Sequence, residues 1–339
     1  MTALGAASPA ERGAVSVNAL QRIQQPIRGR LDAVSEEMKR TVASDAPLVG
    51  QISAHLMGMR GKMLRPTLVL LASATDEKPE PAAVTLAAAV ELIHLATLVH
   101  DDAIDHSILR RGMPTLNSLF SHQISVIMGD FLYSTALTRL VALGNLGALE
   151  ALTRASTEMT IGELRQLAVT NPLEFSEEDY FALIRAKTAS LMSAACEIGA
   201  LAGASAYREP LARFGELLGM AFQITDDLID YTEAAATAGK PTGLDLKEHK
   251  VTLPLIAALR VMPQPARSRV ESLFASEAPD DDSIGEVIGI VADNGGLEYA
   301  REAGSRFAVE AEKTLEALPD TVARSALIDS ISYVMERHS

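Results

Sequence analysis

The chain has 339 residues, with 30 basic and 44 acidic side chains, and its net charge at neutral pH is −14. Such an acidic protein lacks the basic face that duplex nucleic acid requires, so we expect no nucleic-acid partner. Hydrophobic residues make up 48% of the sequence, too many for a disordered chain, and aromatic residues only 4%, which favours helices over sheets. The single cysteine, Cys196, excludes an intrachain disulfide and a thiolate zinc site built by this chain alone.

The sequence has no pattern typical of export or membrane insertion. Residues 1–17 lack a basic start followed by an apolar run, and we predict that they form a flexible tail. No low-complexity linker divides the remainder, so residues 18–339 are predicted to form one domain. The longest stretch without Asp, Glu, Lys or Arg, Gly112 to Gly129, contains Pro114 and several polar residues, which are unsuited to a membrane span. We therefore expect a cytoplasmic protein without a transmembrane segment.

Long segments repeat apolar residues at the spacing of a buried helix face. This pattern predicts long helices over about 81–104, 121–142, 147–169, 176–203 and 209–231. Ser176 followed by Asp179 has the pattern of an N-cap with an acidic first turn. Smaller amphipathic helices follow from about Met262, and no segment alternates as a strand would. The sequence therefore predicts an all-α protein, a single large helical bundle, with glycine- and proline-containing loops at 105–114 and 233–250.

Two identical aspartate patterns end the first and the last of these long helices. They are Asp101-Asp102-Ala103-Ile104-Asp105 and Asp226-Asp227-Leu228-Ile229-Asp230. Asp101 and Asp105 share a helix face close to a C-terminus, where the helix dipole disfavours anions, and a bound divalent cation would remove this conflict. Carboxylate ligands favour Mg²⁺ or Mn²⁺. One such pattern alone is commonly a solvated helix end, but two that face each other across a cavity suggest a diphosphate held by several Mg²⁺ ions.

A rival metal site begins with Glu91-Leu92-Ile93-His94, which has the spacing found in di-iron bundles. Those sites need a second motif of this kind and two further glutamates. The sequence contains no second Glu-x-x-His, so the di-iron hypothesis is weak and His94 needs another explanation.

Seven cationic side chains of this acidic sequence are candidate phosphate ligands. They are Lys62, Arg65, Arg110, Arg111, Lys187, Lys240 and Lys250. Each alone is more commonly a solvated surface residue than a ligand. Arginine binds phosphate through two parallel hydrogen bonds and lysine as a point charge, so the set as a whole fits a site for two phosphorylated substrates.

The ordered motifs identify a family resemblance that covers about residues 51–337. They are Gly61-Lys62, Arg65-Pro66, Glu91 to His94, Val99 to Asp105, Arg110 to Gly112, Gly129-Asp130, Gly162-Glu163, Lys187-Thr188, Phe222-Gln223, Asp226 to Asp230, Gly239 to Pro241 and Leu253-Pro254. The sequence resembles the trans-isoprenyl diphosphate synthases, and most closely the bacterial long-chain polyprenyl diphosphate synthases. The resemblance implies an all-α domain around a deep central cavity, a homodimer, and head-to-tail condensation of isopentenyl diphosphate with an allylic diphosphate.

The resemblance also implies roles for individual residues. The implied Mg²⁺ ligands are Asp101, Asp102, Asp105, Asp226 and Asp230. Isopentenyl diphosphate would be bound by Lys62, Arg65, His94 and Arg111. The allylic diphosphate would be bound by Arg110, Lys187, Thr188, Gln223, Lys240 and Lys250. The residues most directly involved in catalysis would be Asp101, Asp105, Asp226, Lys187 and Lys250.

Two positions depart from the family pattern. Met63 stands where relatives often carry an arginine, which would weaken isopentenyl diphosphate binding unless Arg60 offsets it. His249 stands where many relatives have glycine, so we expect a stiffer loop. Two other functions remain open: a terpene cyclase, although its second metal motif is usually of another type, and a non-catalytic subunit of a heteromeric synthase, although such subunits tend to lose the aspartates.

The product chain would grow along the helix that carries the first aspartate cluster. In short-chain relatives a bulky aromatic residue at the fifth position upstream of that cluster blocks the path, and here this position is Ala96. Ala96 and Thr97 are therefore expected to leave the path open for a long all-trans product of the kind used as a quinone side chain. Facing residues such as Phe131, Leu132 or Tyr133 would set its floor, and release of this product would involve weak peripheral membrane contact. A medium- or short-chain product, such as farnesyl or geranylgeranyl diphosphate, is the alternative.

Overall fold

A computed structural model of the protein describes residues 19–59, 61–232 and 243–336. The predicted tail, Arg60 and Lys240 lie outside these ranges. The helices are α1 (Arg28–Thr41), α2 (Pro47–Gly58), α3 (Leu64–Ser73), α4 (Ala82–Ile104), α5 (Leu116–Leu119), α6 (His122–Leu143), α7 (Leu146–Leu167), α8 (Glu177–Ile184), α9 (Ser190–Leu201), α10 (Arg208–Thr232), α11 (Leu244–Lys247), α12 (Leu253–Leu259), α13 (Gln264–Phe274), α14 (Asp281–Asp293), α15 (Gly296–Thr314) and α16 (Val322–Glu336).

Two largely buried helices, α4 and α9, organise the bundle. Helix α4 packs against α1, α3 and α6, and α9 packs against α3, α4, α7 and α10. Both helices are rich in alanine, leucine and isoleucine on every face, so neighbours can cover them all round. Helix α10 packs against α9 on one side and α15 on the other. Helix α9 therefore lies between the helices that carry the two aspartate clusters.

The five long helices predicted from the apolar spacing are confirmed, with one correction. Ser176 is the N-cap of α8 and forms a capping box with Asp179, as its sequence pattern predicted. The segment 176–203 is not one regular helix, however, because a π-helical turn, Arg185–Ala189, separates α8 from α9. There the Ser190 amide donates to the carbonyl of Arg185, five residues back instead of four. The extra residue turns Lys187 and Thr188 relative to a regular helix.

A short hairpin lies within the loop predicted at 105–114. Strands β1 (Leu109–Arg110) and β2 (Met113–Pro114) pair antiparallel. Their connection, Arg111-Gly112, has φ angles of 53° and 74°, as a type I′ hairpin turn requires at both central positions. Two residues per strand are too few to produce an alternating pattern in the sequence.

Two of the described helices, α4 and α6, are long and apolar enough to cross a membrane by length and composition. Most of the apolar window of α4 is buried inside the protein, as expected for a core helix. Only 28% of the corresponding window of α6 is buried. Helix α6 therefore presents an apolar face that the other described residues do not cover.

Candidate active site

The first aspartate cluster forms the C-terminal turn of α4. Asp102 is buried, and its Oδ1 accepts a hydrogen bond of 2.7 Å from Nε of Arg110 on β1. The resemblance implied that Asp102 binds a metal ion and that Arg110 binds the allylic diphosphate, but in the structure these two side chains pair with each other. Asp101 is only partly covered and Asp105 is exposed, one helical turn apart. These two carboxylates are better placed than Asp102 to meet a cation, since Arg110 already neutralises Asp102.

Asp101 lies among charges of both signs. Desolvation raises the pKa of its carboxyl from 3.8 to about 6, and the charges of Glu163 and Asp105 act in the same direction. The charges of Lys187 and Arg110 oppose this shift. A negative charge on Asp101 is therefore costly in the ligand-free protein, and a cation beside it would lower this cost.

The second aspartate cluster lies in the last turns of α10, and its three carboxylates have different surroundings. Asp226 is exposed. Asp227 is buried, and its two oxygens accept hydrogen bonds from the Tyr180 hydroxyl (2.5 Å) and from Nε2 of Gln223 (2.8 Å). The two carboxylate oxygens of Asp230 accept from the backbone amides of Leu244 and Asp245, at 3.0 Å each. Asp230 thereby fixes the start of α11, and Asp226 is the most accessible carboxylate of the cluster.

The π-helical turn connects the two clusters. Nζ of Lys187 forms an ion pair with Oε2 of Glu163 (2.5 Å) and donates to Oε1 of Gln166 (2.7 Å), both on α7. The hydroxyl of Thr188 points the other way and donates to Oε1 of Gln223 on α10, at 2.8 Å. A Cβ atom at Gly162 of α7 would stand 2.9 Å from Cβ of Ala186, so glycine is needed where the turn approaches this helix.

Lys250 follows α11 and lies within electrostatic reach of the first cluster. Burial lowers the pKa of its ammonium group, but the hydrogen bond and charge of Glu248 outweigh this effect and raise it. The charges of Asp105, in the first cluster, and of Asp245, on α11, raise it further. The preceding His249 has a φ of 54°, the left-handed conformation that glycine adopts most readily. Glycine adopts this backbone conformation more readily than histidine, and the stiffer loop expected here stays a prediction.

A cationic pocket opens beside α4, one to three turns before the first cluster. Glu91, His94, Arg111, Met59 and Gly61 are among its lining residues. Nη1 of Arg111 donates to the carbonyl of Met59 at 2.9 Å. A Cβ atom at Gly61 would stand 2.6 Å from that Nη1, so a larger residue there would push the guanidinium group out of this position.

Burial dominates the electrostatics of this pocket. Desolvation lowers the pKa of the Arg65 guanidinium, while the charge of Glu91 raises it. Desolvation also places the pKa of His94 well below its usual range, and the charges of Arg65 and Arg111 lower it further, so the imidazole is neutral at pH 7. Nε of Arg65 and Oε2 of Glu91 are buried without hydrogen-bond partners. Arg65, Glu91, His94 and Arg111 thus lie within electrostatic reach of one another, and a phosphate group beside them would meet two guanidinium groups and a neutral imidazole.

The remaining predicted site residues have simpler surroundings. Lys62 is exposed, and its carbonyl accepts from Nε2 of Gln24. Met63 adopts a left-handed backbone conformation as the N-cap of α3. Ala96 is fully buried in α4, and the Thr97 hydroxyl donates to the carbonyl of His94 at 2.8 Å.

Residues Phe131, Leu132 and Tyr133 lie on α6, which packs against α4. Leu132 is fully buried, and Phe131 and Tyr133 are partly buried against the same apolar core. Ala96 belongs to that core as well. The proposed path and the proposed floor of the product chain therefore share one apolar interface.

The donor set fits a hard divalent cation. Its accessible members, Asp101, Asp105 and Asp226, supply only carboxylate oxygens, which Mg²⁺ prefers. Within the described residues no three Asp, Glu, His or Cys side chains converge closely enough to hold an ion by themselves. Phosphate oxygens or waters would therefore have to complete the coordination, as is usual for Mg²⁺ at phosphate sites.

Sequence reasoning missed three residues of this site. Tyr180 lies two helical turns before Lys187, and that spacing was the available signal. Asp227 belongs to the second aspartate motif, in which only Asp226 and Asp230 were predicted to be metal ligands. Within the motif Glu91 to His94, the resemblance implied a binding role for His94 alone.

Comparisons with known proteins agree on one family. The polyprenyl synthetase family model matches residues 46–291. The chain is 37% identical to an all-trans-nonaprenyl-diphosphate synthase (geranyl-diphosphate specific) of Rhodobacter capsulatus, over 95% of this chain and 99% of that protein. It is 34% identical to the octaprenyl diphosphate synthase of Escherichia coli (strain K12), over 94% of this chain and 99% of that protein.

A solved structure has the same fold. It is a polyprenyl synthase from Caulobacter crescentus CB15 complexed with calcium and isoprenyl diphosphate, 32% identical to this chain. The match covers 94% of this chain and 98% of that one, with a TM-score of 0.89. The matched family model, the identities along nearly the full length and the shared fold lead to one conclusion: the chain belongs to the polyprenyl synthetase family of prenyltransferases.

Proposed function

We propose that this protein condenses isopentenyl diphosphate with an allylic diphosphate to form a long-chain all-trans polyprenyl diphosphate. The observation that carries the proposal is the adjacency of two anion sites. The aspartate clusters, joined by Lys187 and Thr188, suit a metal-bound diphosphate, and the pocket of Arg65, His94 and Arg111 suits a second diphosphate that needs no metal. The names of the relatives, nonaprenyl and octaprenyl diphosphate synthases, support a long product.

The reaction follows from this arrangement. Lys187 and Lys250 would bind the allylic diphosphate, whose carbon–oxygen bond breaks with the electron pair leaving on oxygen. When bound, Mg²⁺ or Mn²⁺ would neutralise charge on this leaving group. Arg65 and Arg111 would hold isopentenyl diphosphate so that its double bond attacks the allylic cation, after which a proton passes to the released pyrophosphate. The apolar helix walls would exclude water from the cation.

The direct test incubates the purified protein with isopentenyl diphosphate and either geranyl or farnesyl diphosphate, with Mg²⁺, and determines product masses. We expect polyprenyl diphosphates longer than geranylgeranyl diphosphate, and complete loss of activity in excess chelator with recovery on adding Mg²⁺ or Mn²⁺. Full activity in excess chelator would overturn the metal assignment. Products of medium or short length would support the alternative synthase.

Two other functions make different predictions in the same assay. A terpene cyclase would release cyclic hydrocarbons from an allylic diphosphate without isopentenyl diphosphate, and would have no use for the pocket of Arg65 and Arg111. A non-catalytic subunit would be inactive alone and would gain activity only with a partner. The retention of both aspartate clusters favours the synthase over both.

Lys250 is expected to act on the allylic diphosphate rather than on isopentenyl diphosphate. It lies near Asp105 and Asp245, whereas the cationic pocket is lined by other residues. Lys250→Ala should raise the KM for the allylic substrate by about tenfold, the cost of roughly 1.4 kcal/mol, with little change for isopentenyl diphosphate. Lys247→Ala is the matched control, because Lys247 pairs with Asp281 outside the site. Equal weakening for both substrates would contradict the assignment. By the resemblance, the corresponding Lys240→Ala variant should behave like Lys250→Ala.

We also propose that the protein is a homodimer joined through the exposed apolar face of α6 and α7. Ile127 and Val141 of α6 are 67% and 63% exposed, and Leu164 of α7 is 62% exposed. Such clustering on neighbouring helices is typical of a protein interface. Ile127→Glu should shift the mass measured by light scattering from dimer to monomer. Val309→Glu, at an exposed apolar residue of α15, should leave it unchanged. A parent protein that is already monomeric would contradict this proposal.

A further inference from the structure

A directed chain of hydrogen bonds runs from α8 through α10 to the π-helical turn. The Tyr180 hydroxyl donates to one oxygen of Asp227 (2.5 Å), and Nε2 of Gln223 donates to the other (2.8 Å). The Thr188 hydroxyl then donates to Oε1 of Gln223 (2.8 Å). Tyr180, Asp227 and Thr188 are each less than 10% exposed, so little water competes for these groups.

With Asp227 ionised, the form that the hydrogen bonds from Tyr180 and Gln223 favour against its burial, the chain has one consistent direction. Both oxygens of Asp227 accept hydrogen bonds, so the amide of Gln223 must turn its nitrogen towards Asp227 and its oxygen towards Thr188. The Thr188 hydroxyl then donates its proton to that oxygen of Gln223. The lone pairs of the Thr188 oxygen are left to face a group bound beside the π-helical turn. The oxygens of Thr188 and Gln223 thus gather at the turn that also carries Lys187.

We propose that Tyr180 and Asp227 are positioning residues that orient Thr188 and Gln223 with their oxygen ends towards the allylic cation. The inference rests on the proposed synthase activity. An amide free to rotate could present its N–H groups, whose positive ends would oppose the developing positive charge. Tyr180 prevents this by occupying the second oxygen of Asp227, so that the carboxylate cannot turn away from Gln223. Fixed dipoles of this kind stabilise charge that appears only in the transition state.

The kinetic test replaces Tyr180 with phenylalanine, which retains the ring and removes only the hydroxyl. We expect kcat to fall by about 10- to 100-fold, as for partners that orient a catalytic group, with the KM for both diphosphates changed less than twofold. Tyr299→Phe is the matched control, because it also removes a tyrosine–carboxylate hydrogen bond, to Glu177 (2.7 Å), away from the site. Its kcat should remain within about twofold of the parent value.

A binding test isolates the cation. Each variant is titrated, with pyrophosphate and Mg²⁺ present, with an ammonium analogue of the allylic cation and with its neutral carbon isostere. Tyr180→Phe should weaken binding of the ammonium analogue by about tenfold or more and leave the neutral isostere unchanged. Asp227→Asn should do the same, because an asparagine amide can donate and lets Gln223 reverse.

The outcomes distinguish a failure of the positioning role from a failure of the proposed synthase activity. Equal weakening of both analogues, or an unchanged kcat in Tyr180→Phe, overturns the positioning role even if the parent protein is an active synthase. A parent protein that forms no polyprenyl product overturns the proposed function, whatever the analogues do. Should Tyr180→Phe lose its helical circular dichroism, Asp227→Asn with the same two analogues decides the matter.

Discussion

Replacing Asp101 or Asp226 with alanine should lower turnover by more than about a hundredfold, while the fold survives. The expected loss is large because even residues that only orient metal ligands contribute 10- to 100-fold to activity. In the proposed reaction both carboxylates would hold the cation that binds the diphosphate, whereas Asp102 is already paired with Arg110. Steady-state turnover at saturating Mg²⁺ measures the effect. Asp293→Ala is the matched control, because Asp293 likewise ends a helix, α14, far from the site.

The stability of the Asp101→Ala variant distinguishes a catalytic role from a structural one. The raised pKa of Asp101, about 6 against 3.8, means that its ionised form costs the metal-free protein roughly 3 kcal/mol at neutral pH, at 1.36 kcal/mol per unit. This cost is absent at low pH, where the carboxyl is protonated, and grows as the pH rises above 3.8. Metal-free Asp101→Ala should therefore unfold at the same temperature as the parent or higher. A strongly lowered melting temperature would mark Asp101 as structural.

Features that repeat in the sequence could be predicted from it. The apolar spacing located the five long helices, because a helix buried on most sides must be apolar on most sides. The aspartate clusters were visible because the same costly arrangement, carboxylates at a helix C-terminus, occurs at the ends of α4 and α10. The capping box at Ser176 was visible because its two partners are three residues apart.

Features that depend on a single added residue or on a distant partner could not be predicted. The π-helical turn at Arg185–Ala189 inserts one residue without disturbing the apolar pattern on either side. Asp230 looked like Asp105 in sequence, but the chain returns 14 and 15 residues later to place two backbone amides on its carboxylate. Tyr180 joins the site only because α8 packs beside α10. In each case the tertiary fold, not the local pattern, decides what the side chain contacts.

Enlarging Ala96 should shorten the product. Ala96 is fully buried on α4, a helix whose neighbours include α6, so a larger side chain there must occupy space inside the bundle. If the growing chain runs through that space, the series Ala96→Val, Ala96→Leu and Ala96→Tyr should reduce the longest product step by step, ending at short chains with Tyr. The KM for isopentenyl diphosphate should change little, since the side chains that form its pocket are untouched. Product masses at equal turnover measure the effect.

Overpacking of the core is the competing effect, and it has a different signature. Extra volume in a packed site costs about 1–3 kcal/mol and lowers activity for every product length alike. Ala87→Leu provides the control, because Ala87 is equally buried on α4 but lies nine residues before Ala96, on the opposite face of the helix. That variant should lose stability without shortening the product.

Thr97→Tyr should shorten the product with less loss of stability, because Thr97 is partly exposed and lies one turn before Asp101 on the same face. An unaltered product distribution in both Ala96→Tyr and Thr97→Tyr would show that chain length is set elsewhere, with the partly buried Phe131 and Tyr133 of α6 as the next positions to change.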